Sequence, residues 1–105
     1  MIGIAEYVDL ILKKKKMTRT EFTKRINRVE KELGDSRTTN ANVTNYLNGY
    51  HSIGRKAAAR WEIALGLEEG TLIRMVSSAS SNEGERDFKE YMKKLREIRR
   101  NIWNY

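Results

Sequence analysis

The chain has 105 residues, enough for one small core and an appendage, with a net charge of +7 and a pI of about 9.8. The absence of Cys excludes disulfides and thiolate metal sites, and no apolar run approaches the ~18 residues that a membrane span needs. The basic balance favours a polyanionic partner, nucleic acid first. Pro is absent and helix formers abound, so the expected fold is all-α. Met1 to Leu12 is too short and, with Glu6 and Asp9, too acidic for a secretory signal, so a cytoplasmic protein is expected.

Ile4, Val8, Ile11 and Leu12, with Tyr7, form the apolar stripe of a first helix. Lys13 to Lys16 closes it. Four cations suit a helix C-terminus, where the macrodipole favours them, and the alternative is a clamp on phosphate. Thr18 reads as the N-cap of a second helix, with Glu21 completing a capping box. Phe22, Ile26, Val29 and Leu33 follow at helical spacing, and Gly34 is placed to end the helix in the left-handed conformation. A turn over 34–38 leads to Thr39, a second N-cap.

The segment Thr39-Asn-Ala-Asn-Val-Thr-Asn-Tyr-Leu-Asn-Gly49 is the most informative. Val43, Tyr46 and Leu47 share one helical face. The rest are small polar groups: Asn40, Asn42, Thr44, Asn45 and Asn48. Asn and Thr are mediocre helix formers, costing up to ~0.7 kcal/mol each against Ala, so such a helix needs packing to hold it. Its exposed amides then look chosen for hydrogen bonding, and Asn can pair bidentately with the N6/N7 edge of adenine. The alternative is an Asn-rich surface loop ending in an Asn-Gly turn. Tyr50 to Gly54 is a loop, Arg55 to Leu65 a fourth helix, and Leu67 to Val76 a short fifth helix after the interruption at Gly66.

Ser77 to Gly84 is Ser-rich and reads as a linker. A last amphipathic helix runs from Glu85 to about Trp103. Phe88, Tyr91, Leu95, Ile98, Ile102 and Tyr105 are spaced 3, 4, 3, 4, 3, a heptad alternation lasting about two and a half heptads. Two readings fit. The helix pairs with its copy in a homodimer, which makes Phe88, Tyr91, Leu95, Ile98 and Ile102 dimerisation candidates, or it folds back on its own domain.

From residue 4 to 76 the chain resembles the phage-repressor-like (Cro/XRE) helix-turn-helix family. Met17 to Thr23 is similar to the family's second helix, with Arg19 where Gln is common and Phe22 where Leu is common. Thr39 to Gly49 follows the pattern of its recognition helix, and Ala64-Leu-Gly-Leu67 followed by Leu72-Ile73 resembles a later family stretch. One departure is a longer spacing between Arg19 and Asn40, twenty-one positions apart. That is some ten more than the family's usual separation, and POU-specific domains, similar in plan, also lengthen this region. A long second helix and a longer turn are expected to absorb the difference.

The resemblance implies a five-helix, lambda-repressor-like domain over 1–76, followed by the linker at 77–84 and the amphipathic helix over 85–105. It implies a sequence-specific double-stranded DNA-binding regulator, a repressor of phage or mobile-element type, with A·T at the contacted operator positions. Asn40, Ala41 and Asn45 stand where the family reads bases, with Thr44 as a second-rank reader. Thr18, Arg19, Thr39 and Asn42 are expected at phosphates. Tyr50, His51, Ser52, Arg55 and Lys56 are expected there too. For Arg55 and Lys56 the alternative is solvated charge, and for His51 an incidental loop position. Tyr46 and Trp61 are assigned to the core, with stacking on bases as the alternative. The competing function is a protein-binding module, an anti-repressor, co-repressor or antitoxin. An architectural protein without sequence preference is a third reading. No nucleophile–base pair, metal-ligand cluster or glycine-rich phosphate loop suggests an enzyme, and no cofactor or metal is expected.

Overall fold

A computed structural model describes residues 3–34, 37–76 and 85–102. Five α-helices follow one another: α1 (Ile4–Lys15), α2 (Arg19–Leu33), α3 (Asn40–Leu47), α4 (Arg55–Leu65) and α5 (Glu85–Ile102). No strand occurs among the described residues, and no described helix is long and apolar enough to cross a membrane. The expected linker at 77–84 and Tyr105 lie outside the described residues.

The helix ends follow local chemistry. The Thr18 hydroxyl accepts from the Glu21 N–H at 3.0 Å, and Gly34 closes α2 at φ 77°. Lys16, at φ 55°, ends α1 in the left-handed region that usually falls to Gly, and its N–H reaches back to the Lys13 carbonyl at 3.1 Å. Lys13 to Lys16 are all exposed at this C-terminus, where cations complement the exposed carbonyls.

One core lies among α1, α2, α3 and α4. Val8, Phe22, Ile26, Val43 and Ala58 are fully buried in it. Trp61 is 2% exposed and meets Phe22 edge-on at 5.2 Å and Tyr46 edge-on at 5.6 Å. Such aromatic pairs add about 0.5–1.5 kcal/mol beyond area burial. Trp61 is therefore a core residue with no face left for a base. Tyr46, half-buried, contributes its ring to the same cluster.

The second core answers the question of α5. Leu95 and Ile102 are buried with Val29 of α2 and with Ala59 and Ile63 of α4, and Phe88, Tyr91 and Ile98 pack around them. The residues expected to face a second copy are thus spent inside the chain. The heptad spacing describes a seam laid along two helices of the chain's own fold. Met92, absent from the heptad pattern, is also buried, so the apolar stripe is wider than a coiled-coil seam.

The expected helix over 67–76 does not form. Gly66 ends α4 at φ 71°, Gly70 turns the chain again at φ 95°, and a single 3₁₀ turn over Ile73–Met75 is all that remains. The cause is Glu62, a fully buried carboxylate on α4. It accepts from the backbone N–H of Gly70 at 3.0 Å, of Leu72 at 2.6 Å and of Ile73 at 2.9 Å. Charge-assisted bonds of this kind outcompete the intrahelical bonds that these residues could otherwise make. Carbonyls at the end of α4 are met from outside: Arg25 donates to that of Ala64 at 2.6 Å, and Arg99 of α5 donates to that of Leu67. Arg96 of α5 grips Glu69 through two bonds, at 2.8 and 3.0 Å, and holds the Glu69 carboxyl below its ordinary value. This clip is complete above the ordinary carboxylate range and is lost as pH falls through the lowered pKa.

Candidate nucleic-acid interface

The geometry of α3 begins with its cap. The Thr39 hydroxyl accepts from the Asn42 N–H at 3.1 Å, fixing the first turn. Val43 is fully buried and Leu47 nearly so, which sets the roll of the helix about its axis. Asn40, Ala41 and Asn42 are left exposed on the first turn. Thr44 and Asn45 are half-buried further along, and Asn48 is exposed. The segment is therefore a packed helix and not an Asn-rich loop. Asn40 and Ala41 stand open as a pair. Asn45 presents less of its side chain, and its carbonyl accepts from the Tyr50 N–H at 2.9 Å as the helix ends.

What holds the start of α3 was missed in the sequence. Asn27 of α2 brackets Thr38: its amide donates to the Thr38 carbonyl at 2.8 Å, and its oxygen accepts from the Thr38 N–H at 2.6 Å. Glu30, 5% exposed, takes the Thr38 hydroxyl at 2.6 Å. Its other oxygen lies 3.3 Å from Arg60 Nε on α4. Arg60 in turn donates to the Tyr91 hydroxyl on α5 at 2.9 Å. A polar chain thus runs from the residue before the Thr39 cap to the last helix. The sequence did carry a signal for it. Glu30 sits eight residues after Phe22, inside the apolar stripe of α2, and a carboxylate on a core face needs partners.

Apart from Asn42 on the first turn of α3, the candidate phosphate residues divide into four groups. Thr18 and Thr39 cap their helices with one lone pair each, and each hydroxyl keeps its proton for an outside acceptor. Tyr50, His51 and Ser52 are exposed in the loop after α3, Tyr50 at 76%. The His51 ring meets Tyr46 edge-on at 5.7 Å. Arg19 is engaged within the fold. It pairs with Asp9 of α1 at 3.2 Å and reaches the side chain of Asn48, the cap at the end of α3, at 3.4 Å, so it ties the start of α2 to both.

Arg55 and Lys56 are engaged with the last helix. Arg55 lies 4.2 Å above the Phe88 ring and binds Glu85 at 3.0 Å, and Lys56 lies 5.2 Å from the Tyr91 ring. Both cations turn toward α5 and support its docking through cation–π contact.

Compared with protein-family models, with curated proteins and with solved structures, the chain matches none. The geometry above therefore carries the functional reading alone. Its components are an α2–α3 pair fixed at fixed roll, an open first turn of amides and a methyl, and two capped helix N-termini beside them. Backbone N–H groups at such termini suit anions, and the amides suit base edges. Among the described residues, no group of three or more His, Asp or Glu could hold a metal ion.

Proposed function

We propose that the chain is a sequence-specific double-stranded DNA-binding regulator, a repressor in type, which lays α3 in the major groove. The observation that carries this reading is the first turn of α3: Asn40, Ala41 and Asn42 stand exposed while Val43 and Leu47 anchor the opposite side. The helix, turn and helix of the Cro/XRE resemblance supply the frame. In it, Asn40 and Asn45 pair with adenine, Ala41 touches a thymine methyl, and Thr44 adds a lesser contact. Thr18, Thr39 and Asn42 meet phosphates with hydroxyls, an amide and helix N-termini. The net charge of +7 supplies the long-range attraction. Homodimerisation through α5 is not part of the proposal, because its apolar face lies within the chain.

One observation favours the second reading, a protein-binding module. The sequence of α3 carries no charged residue, and Arg19 beside it is neutralised by Asp9.

Fluorescence anisotropy separates the two. The duplexes are DNA from just upstream of the protein's own gene and a scrambled control, each at two salt concentrations. The expected result is a preference of ~10³ or more for the native DNA, with binding that weakens as salt rises because phosphate contacts release counterions. Equal binding to both duplexes overturns sequence specificity in favour of an architectural role. No binding to either leaves the protein-binding module. On the preferred duplex, Asn40→Ala is expected to cost ~1–3 kcal/mol and to relax the base preference at one position. Unchanged discrimination in that variant removes Asn40 from the readers.

A further inference from the structure

The lengthened α2 does more than space two helices. Lys24, Arg28 and Lys31 fall at i, i+4 and i+7, on one side of α2, and with Arg37 they line a cleft against the connection to α3. Asn27 and Glu32 complete much of its wall. Glu30 borders it too, but that carboxylate is 5% exposed and is taken up by Thr38 and Arg60. Among the described lining residues, and leaving Arg28 out of the count, Lys24, Lys31 and Arg37 thus face one exposed carboxylate, Glu32.

We propose that this cleft seats the phosphates of a DNA strand flanking the α3 contact. The inference rests on the DNA-binding reading and adds a second backbone contact to it. Three observations point to this occupant. The cleft is tied to the start of α3, because the same Asn27 that lines it also clamps Thr38 at 2.6 and 2.8 Å, one residue before the α3 cap. Lys24 and Lys31 are seven residues apart, about 10 Å along a helix, a length on the scale of neighbouring phosphates of one strand. Among the described residues the wall is polar and cationic with no apolar side chain, which suits a phosphodiester backbone and not an amphipathic peptide.

The cleft also explains how a helix without charge could sit on a polyanion. α3 brings amides for discrimination, and α2 brings the cations that retain the strand.

The test uses two duplexes, one holding only the preferred site and one extended by about one helical turn on each side. The variant is Lys24→Gln/Lys31→Gln/Arg37→Gln in the full chain. Arg28 is left intact, since it also borders a neighbouring cleft with Glu97 and Asn101. A charge-matched control, Lys89→Gln/Lys93→Gln/Lys94→Gln, changes three exposed cations on α5. Thermal melts establish that both variants fold. The expected result is that the α2 variant keeps its affinity and base preference on the short duplex. On the extended duplex it loses affinity, and its salt slope falls by about two to three, at ~0.9 per phosphate contact. The control keeps the wild-type slope on both. An α2 variant that matches wild type on both duplexes overturns the cleft assignment and leaves α3 as the interface. Equal losses in the variant and the control, or equal losses on both duplexes, reduce the effect to bulk charge and also overturn it. Failure of the wild type to bind either duplex overturns the DNA-binding reading itself, and this inference with it.

Discussion

Replacing Glu62 with alanine is expected to destabilise the protein by about 3–5 kcal/mol, because three backbone donors lose one shared acceptor. The carboxylate is fully buried and holds the N–H groups of Gly70, Leu72 and Ile73. Alanine leaves all three donors without their acceptor, and an unsatisfied buried donor costs ~1–3 kcal/mol. It also leaves a cavity beneath Leu72, itself fully buried. Glu62→Gln keeps one oxygen but turns an NH₂ toward backbone donors, so its loss is expected to fall between wild type and alanine. The shift in urea midpoint at constant slope is the measurement. A Glu62→Ala protein within about 0.5 kcal/mol of wild type, the range of ordinary surface substitutions, contradicts the role given to this residue.

Leu95→Asp is expected to detach α5 without changing the oligomeric state. Leu95 is 1% exposed and sits in the second core with Val29 and Ile63. An aspartate there forfeits the burial of a large aliphatic group and places a carboxylate among apolar neighbours. The expected loss is at least the ~2–5 kcal/mol of a large-to-small core substitution. Sedimentation reads the oligomeric state, and hydrogen exchange along α5 reads its docking. A dimer that becomes a well-folded monomer on this substitution contradicts the packing described here, because Leu95 then belongs to an interface between copies.

These two residues also mark where the sequence was legible and where it was not. α1, α2 and α4 lie within a residue of their expected bounds because their signals are local: Thr18 three before Glu21, Gly34 and Gly66 at helix ends, apolar residues at helical spacing. α3 was legible for the same reason, through Thr39, Val43 and Leu47. The segment 67–76 was not, because Glu62 acts across eight to eleven positions and claims backbone groups that local preference assigns to a helix. The partner of α5 was not legible either. A heptad stripe fits a second copy and a groove between α2 and α4 equally well, and Met92 widens the stripe only once its burial is seen.

The candidate interface divides along the same line. Asn40, Ala41 and Asn42 could be named from spacing against Val43 and Leu47. The contacts of Arg55 and Lys56 with Phe88 and Tyr91 were not legible, because these aromatic partners lie more than thirty positions away. The Asn27–Thr38 clamp escaped notice for a similar reason: two ordinary polar residues became informative only when the turn brought them together.

The run of contacts from Thr38 through Glu30 and Arg60 to Tyr91 has a thermodynamic meaning. The start of α3 and the last helix share one set of polar contacts, in which Glu30 and Arg60 meet as an ion pair at 3.3 Å, so opening one disturbs the other. The segment that leads into α3 is thereby linked to α5, although thirty-seven residues lie between α3 and α5 in the chain. Anything that tightens on the first turn of α3 stabilises the docked last helix by linkage, and a chain deprived of that helix presents its amides on a looser support.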